Sequence, residues 1–113
     1  MSAERRGDIR GAREERLFVK VLSSSADTRD LESIIFSGST EDVSASGLSL
    51  VASENLPRDS ELELWVEIKG CPGKFLLTGI VRWCCPRGTG FCCGVEFTPE
   101  EGSDFGEWQD LFI

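Results

Sequence analysis

Arginine is concentrated near the N-terminus of this 113-residue sequence. Five arginines lie within the first sixteen positions: Arg5, Arg6, Arg10, Arg13 and Arg16. A guanidinium group can donate two parallel hydrogen bonds to a phosphate or carboxylate, and its flat face can stack on a planar ring. Because the formal net charge of the chain is -8, an anionic ligand needs a local basic site, and this segment supplies one.

A second group of polar residues lies in STEDVSASGLSL, residues 39–50. Here Asp42, Ser44 and Gly47 fall close together between two apolar stretches. Taken alone, such a run predicts a turn, because Asp and Ser side chains hydrogen-bond to neighbouring backbone groups. The same carboxylate and hydroxyl can also accept hydrogen bonds from a ligand, and the hydroxyl can donate one.

Composition argues against several classes of function. The chain has no histidine, no serine-nucleophile motif and no phosphate-binding loop, so we expect that it is not an enzyme. Four of its cysteines form two adjacent pairs instead of C-x-x-C motifs, so we expect no metal site, and we expect no cofactor. The negative net charge argues against binding of DNA or RNA.

The sequence also carries no signal for a membrane. No stretch approaches the roughly 18 consecutive apolar residues of a membrane span. The N-terminus has no apolar segment that could serve as a signal peptide. We therefore expect a cytoplasmic protein without membrane insertion, in which the thiols stay reduced.

Beyond residue 16 the sequence is typical of short β-strands. Apolar and polar residues alternate most clearly in ELELWVEI, where Leu62, Leu64, Val66 and Ile68 fall on one face. Turns rich in Gly and Pro separate the segments. Six strands are predicted, at 17–22, 32–38, 48–52, 61–68, 75–85 and 91–97. This spacing predicts an all-β fold, a six-stranded antiparallel barrel, because closure removes exposed sheet edges.

The two ends of the chain are expected to differ. Residues 1–16 are predicted to be a flexible Arg-rich segment, and residues 17–113 to form the barrel with a C-terminal helix. Phe105, Trp108 and Leu111 recur every three residues, which predicts a short helix whose apolar stripe closes one end of the barrel. Thr98 and Glu101 predict a capping box at the start of that helix.

The last two strands are expected to be joined by a five-residue turn at 86–90. Such a turn would place Trp83 opposite Cys93, with both side chains pointing inward. Cys84 and Cys92 would then lie side by side on the outer face as free thiols.

The arginines and the polar run together resemble the two-part signature of the PilZ domain, R-R-x-x-x-R followed by D/N-x-S-x-x-G. RRGDIR matches the first half through Arg5, Arg6 and Arg10, and DVSASG matches the second half through Asp42, Ser44 and Gly47. LPRDSELELWVEI, TGIVRW and CGVEF are similar to later strands of that family in order and spacing. The resemblance therefore covers residues 5–97.

This resemblance implies a receptor for cyclic di-GMP, a bacterial second messenger with two guanines and two phosphates. The arginines would contact guanine edges or phosphates, Asp42 would accept from guanine N–H groups, and Ser44 would add a hydrogen bond. Gly47 would permit a tight turn close to the ligand. The Arg-rich segment would fold over the bound ligand and pass the signal to an effector protein.

Two alternatives remain open. In typical PilZ domains the last arginine of the motif lies almost directly before the first strand, whereas Arg10 lies seven positions before Leu17. Arg13 and Arg16 lie nearer to that strand and form the alternative pair. The competing function is a PilZ-like adaptor that has lost the ligand and binds a protein through Trp65, the terminal helix or the acidic face.

Overall fold

The computed structural model describes residues 11–12, 15–23, 35–71 and 73–112. Within these residues the chain forms seven strands and one helix. The strands are β1 (Gly11–Ala12), β2 (Arg16–Ser23), β3 (Ile35–Val43), β4 (Gly47–Ala52), β5 (Glu61–Val66), β6 (Phe75–Arg87) and β7 (Gly90–Thr98), and the helix is α1 (Phe105–Asp110). None of the helical structure in these residues is long and apolar enough to cross a membrane.

Six of the strands close into an antiparallel barrel, as the sequence predicts. The order around the barrel is β3-β2-β5-β6-β7-β4, and β4 pairs with β3 to complete the circle. The two-residue strand β1 pairs with the end of β3, with Gly11 opposite Val43 and Ala12 opposite Asp42. Closure leaves the six barrel strands without an unpaired edge along their shared length.

Alternation of side chains explains the barrel interior. Strands β4 and β5 place every second residue in the core, and the predicted inward residues Leu62, Leu64, Val66 and Ile68 are all buried. The other face of β5 carries glutamates and Trp65, which are partly exposed. The predicted face assignment of this strand is therefore confirmed.

Helix α1 closes one end of the barrel through Trp108, which is completely buried. Its ring lies 5.5 Å from Phe75, 5.5 Å from Phe97 and 5.4 Å from Phe112, measured between centroids. Its indole N–H donates a 2.8 Å hydrogen bond to the carbonyl oxygen of Ser44. The predicted apolar plug is thus confirmed at Trp108, whose buried N–H has a partner, whereas Leu111 of the predicted stripe is 40% exposed.

The predicted capping box is wrong. Thr98 ends β7, and the helix begins only at Phe105, where Asp104 makes no side-chain cap. Asp104 instead accepts a 2.8 Å hydrogen bond from the Leu76 backbone N–H, and its own N–H donates to the Leu76 carbonyl at 2.7 Å. The start of the helix is therefore fixed by contacts with β6 and not by its own first turn.

The predicted five-residue turn between the last strands is also wrong. The turn contains only Gly88 and Thr89, and Arg87 pairs with Gly90 across it. Gly88 has φ +58°, the left-handed value that favours glycine at the first position of a two-residue hairpin turn. The shorter turn shifts the pairing, so that Cys84 lies opposite Cys93.

Replacing Trp108 with alanine is expected to destabilise the barrel by about 3–5 kcal/mol, because it removes a large buried ring and leaves a cavity. Urea unfolding of the Trp108→Ala variant measures this loss. Leu111→Ala is the matched control, because Leu111 follows the same helix but is 40% exposed. Equal losses in the two variants would contradict the role of Trp108 as the plug.

Candidate ligand-binding site

Two β-bulges shape the outer wall of the barrel. One lies on β3 between Thr40 and Asp42, and the other on β6 between Val81 and Trp83. Each bulge inserts one extra residue, so two consecutive side chains point outward between inward-facing neighbours. The outward pair on β6 is Arg82 with Trp83, and Asp42 is exposed at the bulge on β3.

A groove of about 320 Å³ lies on the outer wall between these bulges. Strands β4 and β7 run between β3 and β6, so the groove crosses four neighbouring strands. Polar and aromatic groups line the groove along this whole stretch: Asp42, Ser44, Ser46, Ser49, Arg82, Trp83 and Glu96. The volume is near the lower end of the range for small-molecule sites.

The D-x-S-x-x-G run forms the turn from β3 to β4 at one side of this groove. The Ser44 N–H and hydroxyl both donate to the Gly47 carbonyl, at 2.9 and 3.2 Å. The Ser44 side chain is buried, and its carbonyl accepts the Trp108 indole N–H. Ser44 therefore organises the turn and connects it to the barrel plug, in addition to the ligand contact that the sequence predicts.

Gly47 is required by packing. A Cβ atom at this position would collide with the carbonyl oxygen of Val95 on β7, which pairs with β4 at this point. The sequence attributed this glycine to a tight turn, but the structure records no left-handed φ for it. The structural constraint on Gly47 is the close approach of two backbones where the barrel closes.

Within the D-x-S-x-x-G run, Asp42 is the predicted contact residue that the structure leaves open to solvent. Its backbone N–H donates to the Ser49 hydroxyl at 3.2 Å, while its side chain is exposed in the groove. Directly opposite Asp42 lies Ala12 of β1. The N-terminal end of β1 points towards the 44–46 turn, because β1 runs antiparallel to β3.

Trp83 lies on the outer face, which corrects the predicted inward position. It pairs with Gly94 of β7, and its indole covers that glycine so closely that a Cβ there would overlap the ring. The Trp83 side chain is nevertheless 46% exposed. An aromatic surface is therefore available at the wall of the groove.

Arg82 is the cation among the described residues that line the groove. Its Nε donates to Glu96 Oε1 at 2.7 Å, and its Nη1 lies 4.0 Å from Asp59 Oδ1. Asp42 adds a further carboxylate to the lining. The described part of the groove thus has no excess positive charge, and a ligand with two phosphates needs cations from elsewhere in the chain.

The predicted arginines fall in two groups. Arg16 belongs to β2 and lines a separate depression of about 730 Å³ together with Arg87, so it is not brought together with Asp42. The other predicted residues, Arg5, Arg6, Arg10 and Arg13, lie outside the described residues, as does the predicted flexible character of 1–10. The Gly11–Ala12 part of the predicted N-terminal segment is a strand.

Sequence reasoning missed Arg82, Trp83 and the groove between the bulges. Strict alternation along β6 predicts that the Trp83 side chain points inward, and only an inserted residue turns that side chain to the outer face. The signal that could have revealed the bulge was Gly94 inside the pairing strand, because a glycine in a strand interior often marks a bulge or a close approach.

Metal ligands are not gathered anywhere in the described part of the chain. No group of three or more Cys, Asp or Glu side chains there could hold a metal ion.

The Cys92 thiol, on the outer face of β7, has a raised pKa. Burial raises it first, and hydrogen bonding to Glu41 at 3.3 Å raises it further.

The sequence profile of the PilZ domain matches residues 4–111, nearly the whole chain. Together with the barrel and its D-x-S-x-x-G turn, this match shows that the chain belongs to the PilZ domain family. In a search of curated protein sequences no relative matches the chain.

Solved structures share the fold at low sequence identity. The inhibitor of motility MotI/DgrA from Bacillus subtilis has a TM-score of 0.69 at 15% identity, covering 97% of this chain and 49% of that one. MrkH from K. pneumonia, solved as a complex with c-di-GMP, has a TM-score of 0.68 at 13% identity, covering 96% and 51%. This chain therefore spans about half the length of those two proteins.

A third neighbour is nearly the same size as this chain. The PilZ domain of CeSA from a cellulose-synthesizing bacterium has a TM-score of 0.61 at 19% identity, covering 92% of this chain and 94% of that one. The similarity to all three structures establishes the shared barrel fold.

Replacing Gly47 with alanine is expected to destabilise the barrel by about 1–3 kcal/mol, because the new Cβ forces β4 away from β7. Urea unfolding of the variant measures the change. Gly106→Ala is the control, because Gly106 lies within α1 and nothing occupies the space where its Cβ would be. It is expected to leave stability unchanged or raise it by up to about 1 kcal/mol. A Gly47→Ala variant as stable as the original would contradict the packing argument.

Proposed function

We propose that this chain is a cyclic di-GMP receptor that binds the ligand in the groove between the two bulges. The family and the shared barrel with MrkH, which was solved with c-di-GMP, support this assignment. The groove supports it independently, because it combines an exposed carboxylate, several hydroxyls and an aromatic surface.

The observation that carries the proposal is the pairing of β1 with the end of β3. Ala12 lies opposite Asp42, so the strand that directly follows the first half of the signature in sequence pairs beside the second half at one edge of the groove. Arg10 is bonded directly to Gly11 of this strand. A segment tethered at that point can reach a ligand in contact with Asp42, because five extended residues span up to about 18 Å.

The groove offers complementary contacts for a guanine base. The Asp42 carboxylate can accept hydrogen bonds from guanine N–H groups, and the Ser46 and Ser49 hydroxyls can donate or accept. The exposed Trp83 ring can stack on the base, an interaction worth about 1–3 kcal/mol. Ser44 holds the turn in place, so its substitution affects binding through the position of Asp42 as well as through its own hydroxyl.

In this proposal the N-terminal arginines neutralise the two phosphates. Arg5, Arg6 and Arg10 are the assigned residues, and Gly47 fixes the turn to which they fold. Arg13 with Arg16 is the alternative pair, but Arg16 lines the depression near Arg87 and not the groove. Ordering of this segment over the ligand is the conformational change that we propose is passed on to an effector protein.

Alanine variants rank the proposed contacts. Arg6→Ala, Arg10→Ala and Asp42→Ala are each expected to weaken binding of cyclic di-GMP by about 1–3 kcal/mol, because each removes a charged or bidentate contact. Ser44→Ala is expected to cost less. Isothermal titration calorimetry of the full chain with cyclic di-GMP measures each change.

Glu63→Ala is the matched control for Asp42→Ala, because Glu63 is a carboxylate on the outer face of β5, across the barrel from the groove. It is expected to bind like the original chain. Loss of binding in Arg13→Ala and Arg16→Ala, with normal binding in Arg6→Ala and Arg10→Ala, would establish the alternative pair. Normal binding in all four arginine variants would overturn the assignment of this segment to the ligand.

Ligand binding is also expected to order the N-terminal segment. Amide relaxation by NMR should show residues 5–10 mobile in the free protein and rigid in the complex, because the arginines gain fixed partners. Amides of β5 report the reference behaviour of the barrel. Equal rigidity of the segment in both states would contradict the proposed closure.

One observation favours the second candidate function, a PilZ adaptor that does not bind the nucleotide. Phe18 on β2, Trp65 on β5 and Leu76 on β6 lie side by side on the outer wall and are partly exposed. Such a row of apolar side chains suits a protein interface. Absence of heat at high cyclic di-GMP concentration, with the barrel folded, would select this function over the receptor.

A further inference from the structure

Four of the five cysteines lie in two successive rungs of the β6–β7 hairpin. Cys84 is directly opposite Cys93, and Cys85 is directly opposite Cys92. Consecutive side chains of a strand point to opposite faces, so the two rungs lie on opposite sides of the sheet. The inner rung, Cys84 with Cys93, packs against the barrel core.

The hairpin turn determines the geometry of the inner rung. Arg87 and Gly90 flank a two-residue turn and therefore form a hydrogen-bonded rung. Rungs alternate along an antiparallel ladder, so Cys84 and Cys93 form a rung without backbone hydrogen bonds. The Cα atoms of such a rung are about 4.5 Å apart, which falls within the range that a disulfide accepts.

The two thiols of the inner rung lie side by side across the ladder. Burial raises the pKa of the Cys93 thiol, and its hydrogen bond with the Cys84 thiol raises that pKa further. Cys93 is completely buried, whereas Cys84 is partly exposed. Cys84 can therefore meet a small oxidant from solvent, while Cys93 stays protonated beside it.

We propose that Cys84 and Cys93 form a redox-active dithiol that hydrogen peroxide converts into a cross-strand disulfide. The Cys84 thiolate attacks one oxygen of peroxide, which gives Cys84 sulfenic acid and releases hydroxide. The Cys93 sulfur then attacks the Cys84 sulfur, and the S–O bond breaks as the S–S bond forms. The thiol proton of Cys93 leaves with the departing hydroxyl as water. In sum, two thiols are oxidised and one peroxide is reduced to two waters.

The outer rung differs in its backbone hydrogen bonding and in the partners of its buried thiol. Cys85 and Cys92 form a hydrogen-bonded rung, whose Cα atoms are about 5.5 Å apart and whose side chains diverge more. Cys92 is engaged by Glu41 at 3.3 Å and lies 3.8 Å from an Arg87 nitrogen, on the face away from the core. The outer rung is therefore an internal comparison for the inner one.

Oxidation of the inner rung is expected to change the position of the Trp83 ring in the wall of the groove. Trp83 and Gly94 form the next rung along the same ladder, and the Trp83 ring lies directly on Gly94. A disulfide fixes the spacing of β6 and β7 at a point one residue away from that contact. The Trp83 ring is thereby expected to change position relative to Asp42 on the other side of the groove.

Tryptic peptide 83–87 carries Cys84 and Cys85, and peptide 88–113 carries Cys92 and Cys93, so the mass of the joined peptides does not show which pair is bonded. Two variants therefore separate the rungs. The variant Cys85→Ser with Cys92→Ser keeps the inner rung, and Cys84→Ala keeps the outer one. After hydrogen peroxide and alkylation, mass spectrometry is expected to show peptides 83–87 and 88–113 joined at least about tenfold more in the first variant than in the second. Equal joining, or joining only in the second variant, overturns the proposal.

The coupling to the groove has a readout that needs no ligand. In NMR spectra of the variant that keeps the inner rung, the indole N–H signal of Trp83 is expected to shift on oxidation and return on reduction, while that of Trp65 stays in place. Trp83→Phe assigns the signal, and Cys71→Ser is the thiol control away from the hairpin. An unmoved Trp83 signal in a protein shown to be cross-linked overturns the coupling.

A final measurement rests on the proposed function. Calorimetry of the oxidised and reduced variant that keeps the inner rung is expected to give a different cyclic di-GMP affinity for the two states. If neither state binds the nucleotide, the receptor proposal fails, while the cross-link and the Trp83 signal still decide the dithiol proposal. Equal affinity in both states overturns redox control of binding.

Discussion

The hydrogen bond from the Trp108 indole to the Ser44 carbonyl connects helix α1, the end of the barrel and the turn beside the groove. The ring fills the end of the barrel among Phe75, Phe97 and Phe112, while its N–H reaches the turn beside the groove. Because the carbonyl is satisfied from inside, the turn is supported from the core. The position of the candidate site thus depends on how well the barrel end is packed.

Irregular strand pairing gives this common fold its particular outer wall. A regular barrel alternates inward and outward residues, so a polar group and an aromatic ring rarely follow each other on the same face. The bulge on β6 places Arg82 and Trp83 outside together, and the bulge on β3 lies at Asp42 across the groove. The two departures from regularity, and not the barrel itself, bring these chemically different groups together.

The sequence predicted the barrel well because alternation and Gly or Pro turns are local signals. It located the buried face of β5, the apolar plug at Trp108 and the turn that follows Asp42. It misplaced Trp83 and the cysteine rungs because turn length and bulges shift the pairing register, which depends on contacts between distant residues. The capping box failed for the same reason, since β6 fixes the start of α1 through Asp104.

The short strand β1 has a kinetic consequence for recognition. Pairing of Gly11 and Ala12 with β3 holds the C-terminal end of the Arg-rich segment beside the groove, so in the proposed receptor the arginines meet a docked ligand in an intramolecular step. Tethers of this length give effective concentrations in the millimolar range. In the proposed receptor, a ligand that first contacts Asp42 and Trp83 is captured by the tethered arginines before it diffuses away, and the residence time of the complex then depends on how long β1 stays paired.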